Sequence, residues 1–119
     1  IAPVEGEDEP APTKQEPLVA EVCADYIRHC ERASTAGRMH PEFAQGVRRT
    51  LNRFCRYCGA LPVAELKRAY VSEWVSSVPT WRSPVTRRNV LTTIISAFRH
   101  AETERDIRSP LKGLKKPPH

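Results

Sequence analysis

From residue 19 onward, apolar residues recur three and four positions apart. Val19, Val22, Cys23, Tyr26, Ile27 and Cys30 fall along one side of a helix, the spacing that lines a buried face at 3.6 residues per turn. The stripe stops before Gly37. It resumes after Pro41, a favoured first-turn residue, with Phe43, Val47, Leu51, Phe54 and Cys58, and Gly59 stands where a left-handed glycine commonly ends a helix. A short turn at 62–66 leads into a third helix marked by Tyr70, Val71, Trp74, Val75 and Val78, with Pro79 just beyond it. The fourth opens with Ser83 as N-cap and Pro84 at the first helical position. Its buried side is expected at Val85, Leu91, Ile94, Ile95, Phe98 and Ala101, and it runs to about Arg105. Strand-like alternation and internal repeats are both lacking. The pattern predicts an all-α fold, a bundle of four main helices over residues 18–108.

Both ends read differently. Residues 1–17 hold Pro3, Pro10, Pro12 and Pro17 among acidic residues, with no aromatic ring. Such a stretch buries too little apolar surface to offset its ordering entropy, so a disordered acidic tail or linker is expected. The stretch "SPLKGLKKPPH" at 109–119 carries three prolines and three lysines and is expected to be an extended linker. The chain starts at Ile1 rather than methionine, and a piece of a longer protein is expected. No apolar run approaches the roughly 18–20 residues of a membrane span, and no signal-peptide pattern opens the chain. A soluble intracellular protein with no membrane partner is expected.

Charge divides the chain more sharply than its net of +5 suggests. Residues 1–17 set five carboxylates against Lys14, a net of −4, so the rest holds 18 basic and 9 acidic residues, a net of +9. A helical domain this basic points to a polyanionic partner, most often nucleic acid. The bases are also clustered. Arg48, Arg49, Asn52, Arg53 and Arg56 lie off the apolar stripe of the second helix, and no carboxylate occurs between Glu42 and Glu65 to offset them. Like charges three and four apart disfavour a helix, so an ordinary solvated face would intersperse glutamates. A second cluster, Arg82, Thr86, Arg87, Arg88 and Asn89, opens the fourth helix. There, basic and amide side chains can combine phosphate contact with base-edge reading, while Thr92, Thr93 and Ser96 keep one side small enough for close approach. Lys112, Lys115 and Lys116 form a third basic element.

"RFCRYCG" at 53–59 places Cys55 and Cys58 in a C-x-x-C spacing. A redox dithiol of that form usually opens a helix, where the dipole lowers the thiol pKa; this one closes a helix, where the dipole acts oppositely. A zinc site would need Cys23 and Cys30 as its other pair, and helix-borne pairs seven apart seldom converge on one ion. Packing as small apolar residues is the favoured reading, with zinc kept as the alternative. No cofactor is expected. The string "HCER" at 29–32, with Tyr57 downstream, matches H-x-x-R, but it lies inside an amphipathic helix with no complete partner set, and His40 and His100 likewise lack partners.

The order of these features resembles the N-terminal core-binding domain of the tyrosine recombinase (phage integrase) family. "LVAEVCADYIRHC" is similar to the family's opening helix, and "VRRTLNRFCRYCGALPVAEL" to its second helix, turn and entry to the third. "WRSPVTRRNVLTTIISAFRHA" is similar to its serine/threonine-led fourth helix. "DIRSPLKGLKKP" resembles the exit toward a catalytic domain, with Ser109-Pro110 where Asn-Pro is common. The likeness spans residues 18–117, about 100 of 119. It implies a SAM-like DNA-binding domain, monomeric when isolated, that forms one half of a clamp around double-stranded DNA and works with other recombinase protomers. The family's catalytic residues, including its own H-x-x-R, belong to a separate domain expected after His119, so the piece itself is expected to be non-catalytic. Its setting would be cytoplasmic and nucleoid-associated. A helical protein–protein module with a basic face for an acidic partner is the alternative.

Overall fold

The computed structural model describes residues 17–111, 113 and 114. They form an all-α bundle of four main helices: α1 (Val19–Thr35), α2 (Pro41–Cys58), α3 (Arg68–Ser77) and α4 (Pro84–Glu104), with a 3-10 turn at Val63–Glu65 before α3. No described helix is long and apolar enough to cross a membrane.

Several helix ends have an identifiable chemical cause. Gly37, at φ +80°, closes α1 in a left-handed turn that a side chain would strain. There the Arg38 N–H bonds the Ala33 carbonyl at 2.8 Å and the Gly37 N–H bonds that of Ser34 at 3.0 Å, the paired pattern of a Schellman stop. The Nδ1 of His40 caps α2 by accepting from the Glu42 N–H at 3.1 Å, with Pro41 following. Ser83 caps α4 as expected, its Oγ accepting from the Val85 N–H at 3.1 Å. The start of α1 has no side-chain cap. Its first donors are taken instead by the turn after α2: Val19 N–H bonds the Leu61 carbonyl at 2.9 Å and Ala20 N–H bonds that of Gly59 at 3.0 Å.

Gly59 corrects an expectation. Its φ is −61°, so α2 does not end in a left-handed glycine turn. The residue is small because of crowding: a Cβ there would lie 2.6 Å from the Cys55 carbonyl oxygen.

The core runs through all four helices, with Val19, Val22, Leu51, Phe54, Val71, Val75, Ile94 and Phe98 almost fully enclosed. No polar or charged residue is buried among those described. Three residues of the predicted stripes are outside it: Phe43 is 56% exposed, Val85 51% and Tyr70 37%, while Ala44, Val90 and Ala97 take inward positions. The periodicity located the buried face correctly but extended it over the first turns of α2, α3 and α4, where Phe43, Tyr70 and Val85 stay exposed.

Both predicted boundaries also shift inward on the tails. Pro17 is buried and its carbonyl accepts from the Val63 N–H at 2.9 Å, so it belongs to the bundle; residues 1–16 lie outside the described residues. At the other end Leu111 is 2% exposed and joins the core. The Ser109 N–H bonds Glu102 Oε2 at 3.1 Å, and Ser109 Oγ accepts from the Leu111 N–H at 3.1 Å. The stretch from 109 therefore begins as a strap folded back on α4 rather than as an extended linker.

Candidate nucleic-acid interface

Successive residues of an α-helix are about 100° apart around its axis, and this separates the five polar residues of α2. Arg49, Asn52, Arg53 and Arg56 share the outward arc and are exposed. Arg48 falls on the flank beside α1, where its Nη1 meets Glu31 Oε2 at 3.3 Å. The run that lacks a compensating carboxylate in sequence therefore gains one in space. An exposed pair of this kind contributes about 0–1 kcal/mol, yet it removes Arg48 from the free positive charge.

Arg53 is held over the ring of Trp81, with its Cζ 5.3 Å from the centroid. Trp81 stands edge-on to Trp74 at 5.0 Å, and Trp74 packs on Phe54 at 5.3 Å. A ladder of rings thus connects a surface guanidinium to the core and limits the orientations it must give up on binding. Trp81 was not singled out in the sequence reading. The signal available was a large ring directly before the "RSP" start of a basic helix.

On α4, Thr86, Asn89, Thr93 and Ser96 recur at spacings of three and four, and they line one groove with Phe43, Gly46 and Thr50 of α2. Trp81 and Tyr26 complete its walls, enclosing about 520 Å³. Its lining mixes small polar side chains with the apolar surface of Val47, Val90 and the rings, and Glu42 is the one carboxylate among the lining residues. Burial raises the Tyr26 pKa, with the neighbouring Cys30 adding to the effect, so this phenol remains a neutral donor at physiological pH. The Thr93 hydroxyl is turned onto its own helix, donating to the Asn89 carbonyl at 3.1 Å.

The other expected residues of α4 separate in the same way. Arg87 is half-buried, and its Nε donates to the Trp81 carbonyl at 2.7 Å, so it braces the loop instead of facing outward. Arg88 is half-buried and is not among the groove residues. Arg82 is exposed at the approach to the helix. Lys112, Lys115 and Lys116 lie outside the described residues. The structure therefore leaves Arg49, Arg53, Arg56 and Arg82 as exposed cations without a described ion-pair partner, beside a groove that presents Thr86 and Asn89.

The residues of the H-x-x-R string lie elsewhere. His29 and Arg32 line a cavity of about 550 Å³ with Asp25, Arg28, His100, Glu104 and Arg105. Asp25 accepts from Arg28 at 2.5 Å and from Arg105 at 2.6 Å, and that second bond raises the pKa of Arg105. The rings of His29 and His100 are 4.7 Å apart. Burial lowers the His100 pKa, helped by the neighbouring His29, and its Nδ1 is enclosed without a hydrogen-bond partner. Tyr57 is not at this cavity; it stacks on Trp74 at 5.5 Å and donates to the Tyr70 carbonyl at 3.2 Å.

All four cysteines are free thiols, and only Cys55 is part-exposed. Cys23, Cys30 and Cys58 belong to the core cluster and Cys55 packs against it, while the Cys58 thiol lies 3.7 Å from the Phe54 carbonyl. Among the described residues no group of three or more His, Cys, Asp or Glu is arranged to hold a metal ion. Comparison with protein-family models, with curated proteins and with solved structures found no match.

Proposed function

We propose that this chain is a non-catalytic DNA-binding domain that grips duplex DNA along the α2–α4 face, as the core-binding half of a site-specific tyrosine recombinase would. One observation carries the reading: an outward arc of guanidinia on α2 borders a groove that α4 lines with Thr86, Asn89, Thr93 and Ser96. Arginines on the rim supply phosphate contacts, which position a duplex and carry most of the affinity. The amide of Asn89, an adenine-reading side chain type, and the hydroxyl of Thr86 lie where a base edge would be met. Strand exchange would belong to a separate catalytic domain, and other protomers would complete the assembly.

A titration of labelled duplex across salt concentrations tests this. Four arginine contacts give a slope of log K against log salt of about −3.6, at roughly 0.9 per contact. With half a clamp, affinity is expected at roughly micromolar in physiological salt and only modestly selective for sequence. The exposure of Phe43 and Val85 favours a second reading, a helical interaction module whose basic face meets an acidic protein. Absence of salt-dependent duplex binding would replace the first reading with the second.

A further inference from the structure

One glycine of α2 has no use inside the molecule. Gly46 is the sixth residue of an 18-residue helix, and its backbone is ordinary helix without a positive φ. A Cβ there would meet only the Arg49 guanidinium, 4.0 Å away, which is a normal contact distance. Gly59, at the end of the same helix, is different, because backbone at 2.6 Å leaves its Cβ no room. Glycine within a helix weakens it relative to alanine, and nothing in the fold offsets that loss at Gly46.

What the missing side chain leaves is room in the groove between α2 and α4, which Gly46 lines. At about 100° per residue, Gly46 stands about 40° from Thr50 on the groove side and about 20° from Arg53 on the basic arc. Phe43, three residues earlier, lines the same groove and is 56% exposed. Asn89 faces it from α4, exposed, its side-chain amide without a partner among the described residues. Glu42 also lines the groove, and none of the arginines does. A carboxylate inside and guanidinia outside divide a duplex in one way only: phosphates meet the arc, and a base edge enters the groove.

Resting on the DNA-binding reading above, we infer that Gly46 is where the duplex comes closest to α2, and that Phe43 beside it selects thymine by its methyl group. Thymine alone presents an apolar group on the major-groove edge, and an exposed phenyl ring is its complement. Asn89 across the groove offers the amide that matches adenine, so the two walls together favour A·T pairs. A methyl group at position 46 would hold α2 away from the bases. A displacement of about 1 Å already breaks a hydrogen bond, so the Asn89 and Phe43 contacts would be lost together.

Three duplexes of about 20 bp, equal in phosphate charge and so in counterion release, test this with the full chain. One alternates adenine and thymine, the second replaces thymine by uracil, which lacks the methyl group, and the third alternates guanine and cytosine. The parent should bind the thymine duplex about fourfold more tightly than the uracil duplex, the effect of burying one methyl-sized group, and about tenfold more tightly than the G·C duplex. Phe43→Ala should bring the thymine and uracil duplexes level. Gly46→Ala should weaken binding to the thymine duplex about tenfold while its melting temperature rises by a few degrees, a pairing that damage to the fold cannot produce. A parent that binds in a salt-dependent way but treats thymine and uracil alike overturns the inference and leaves the DNA-binding reading standing. So does a Gly46→Ala protein that binds as tightly as the parent, or one that melts lower. A parent that binds none of the three duplexes removes both.

Discussion

Neutralising Arg49 and Arg53 together separates the guanidinia that meet DNA from those the fold has already engaged. At 0.15 M salt one phosphate contact contributes about 0.7 log units of affinity, or about 1 kcal/mol, from counterion release. The Arg49→Gln/Arg53→Gln protein should therefore bind duplex about 30-fold more weakly, with its salt slope falling from about −3.6 to about −1.8. Arg48→Gln is the matched comparison. It removes one formal charge, half that of the double variant, from the same helix, but its partner Glu31 already sits 3.3 Å away, so slope and affinity should stay nearly unchanged rather than fall by half as much. Fluorescence anisotropy of a labelled duplex between about 50 and 300 mM salt reads both quantities, a range over which binding that depends on several contacts changes steeply. Thermal melting by circular dichroism runs alongside: losing the Arg53–Trp81 contact costs about 0.5–1 kcal/mol, a fall of a few degrees. A double variant with the parent slope, or an Arg48 variant that loses as much as the Arg49/Arg53 pair, would refute this division of the basic residues.

Three further outcomes follow from the geometry. Leu111→Ala should destabilise the domain by about 2–4 kcal/mol in urea denaturation, as for other core leucines; a cost near zero would return the strap to the status of a linker. The lowered pKa of His100 means that the folded state resists its protonation, so its contribution to stability is present above its ordinary value of 6.5 and is lost as pH falls from there through the folded value. Melting temperature should therefore drop between pH 7.5 and 5.5, and His100→Gln should flatten that part of the profile; a wild-type profile with no drop would contradict the assignment. Deleting residues 1–16 should leave melting unchanged and duplex affinity equal or higher, because the removed stretch carries five carboxylates against one lysine; weaker binding would show that it contributes to the interface.

The features legible in the sequence are those governed by near neighbours. Ser83 with Pro84, Pro41, and Gly37 announce helix ends because capping chemistry acts within four residues. The apolar stripes of α1 and α2 announce the core for the same reason. The basic arc of α2 was legible as a helical face, but the pairing of Arg48 with Glu31 was not, since its partner lies 17 positions away on another helix. Arg87 has the same charge and spacing as its neighbours, and only the fold reveals that the Trp81 carbonyl takes its donor. Phe43 and Val85 keep the period of the core, yet they border the groove or the surface, because periodicity gives a direction around the axis and not what stands opposite it. Leu111 was hidden by its surroundings: prolines and lysines read as linker, although one leucine with two local hydrogen bonds is enough to anchor a strap.

The start of α1 has a consequence for the order in which the chain can fold as it is synthesised. Its first two amide donors wait for the carbonyls of Gly59 and Leu61, and the carbonyl of Pro17 waits for the amide of Val63. None of these partners exists until about forty more residues have been made. The nascent α1 therefore has a frayed first turn through the whole synthesis of α2, and closure comes as one event when the turn after α2 emerges. The contacts that fasten α1 are among the last within the α1–α2 pair to form. Slow translation once residue 63 has left the ribosome would give that closure time, and a chain stalled before it would hold two helices with an unfastened end.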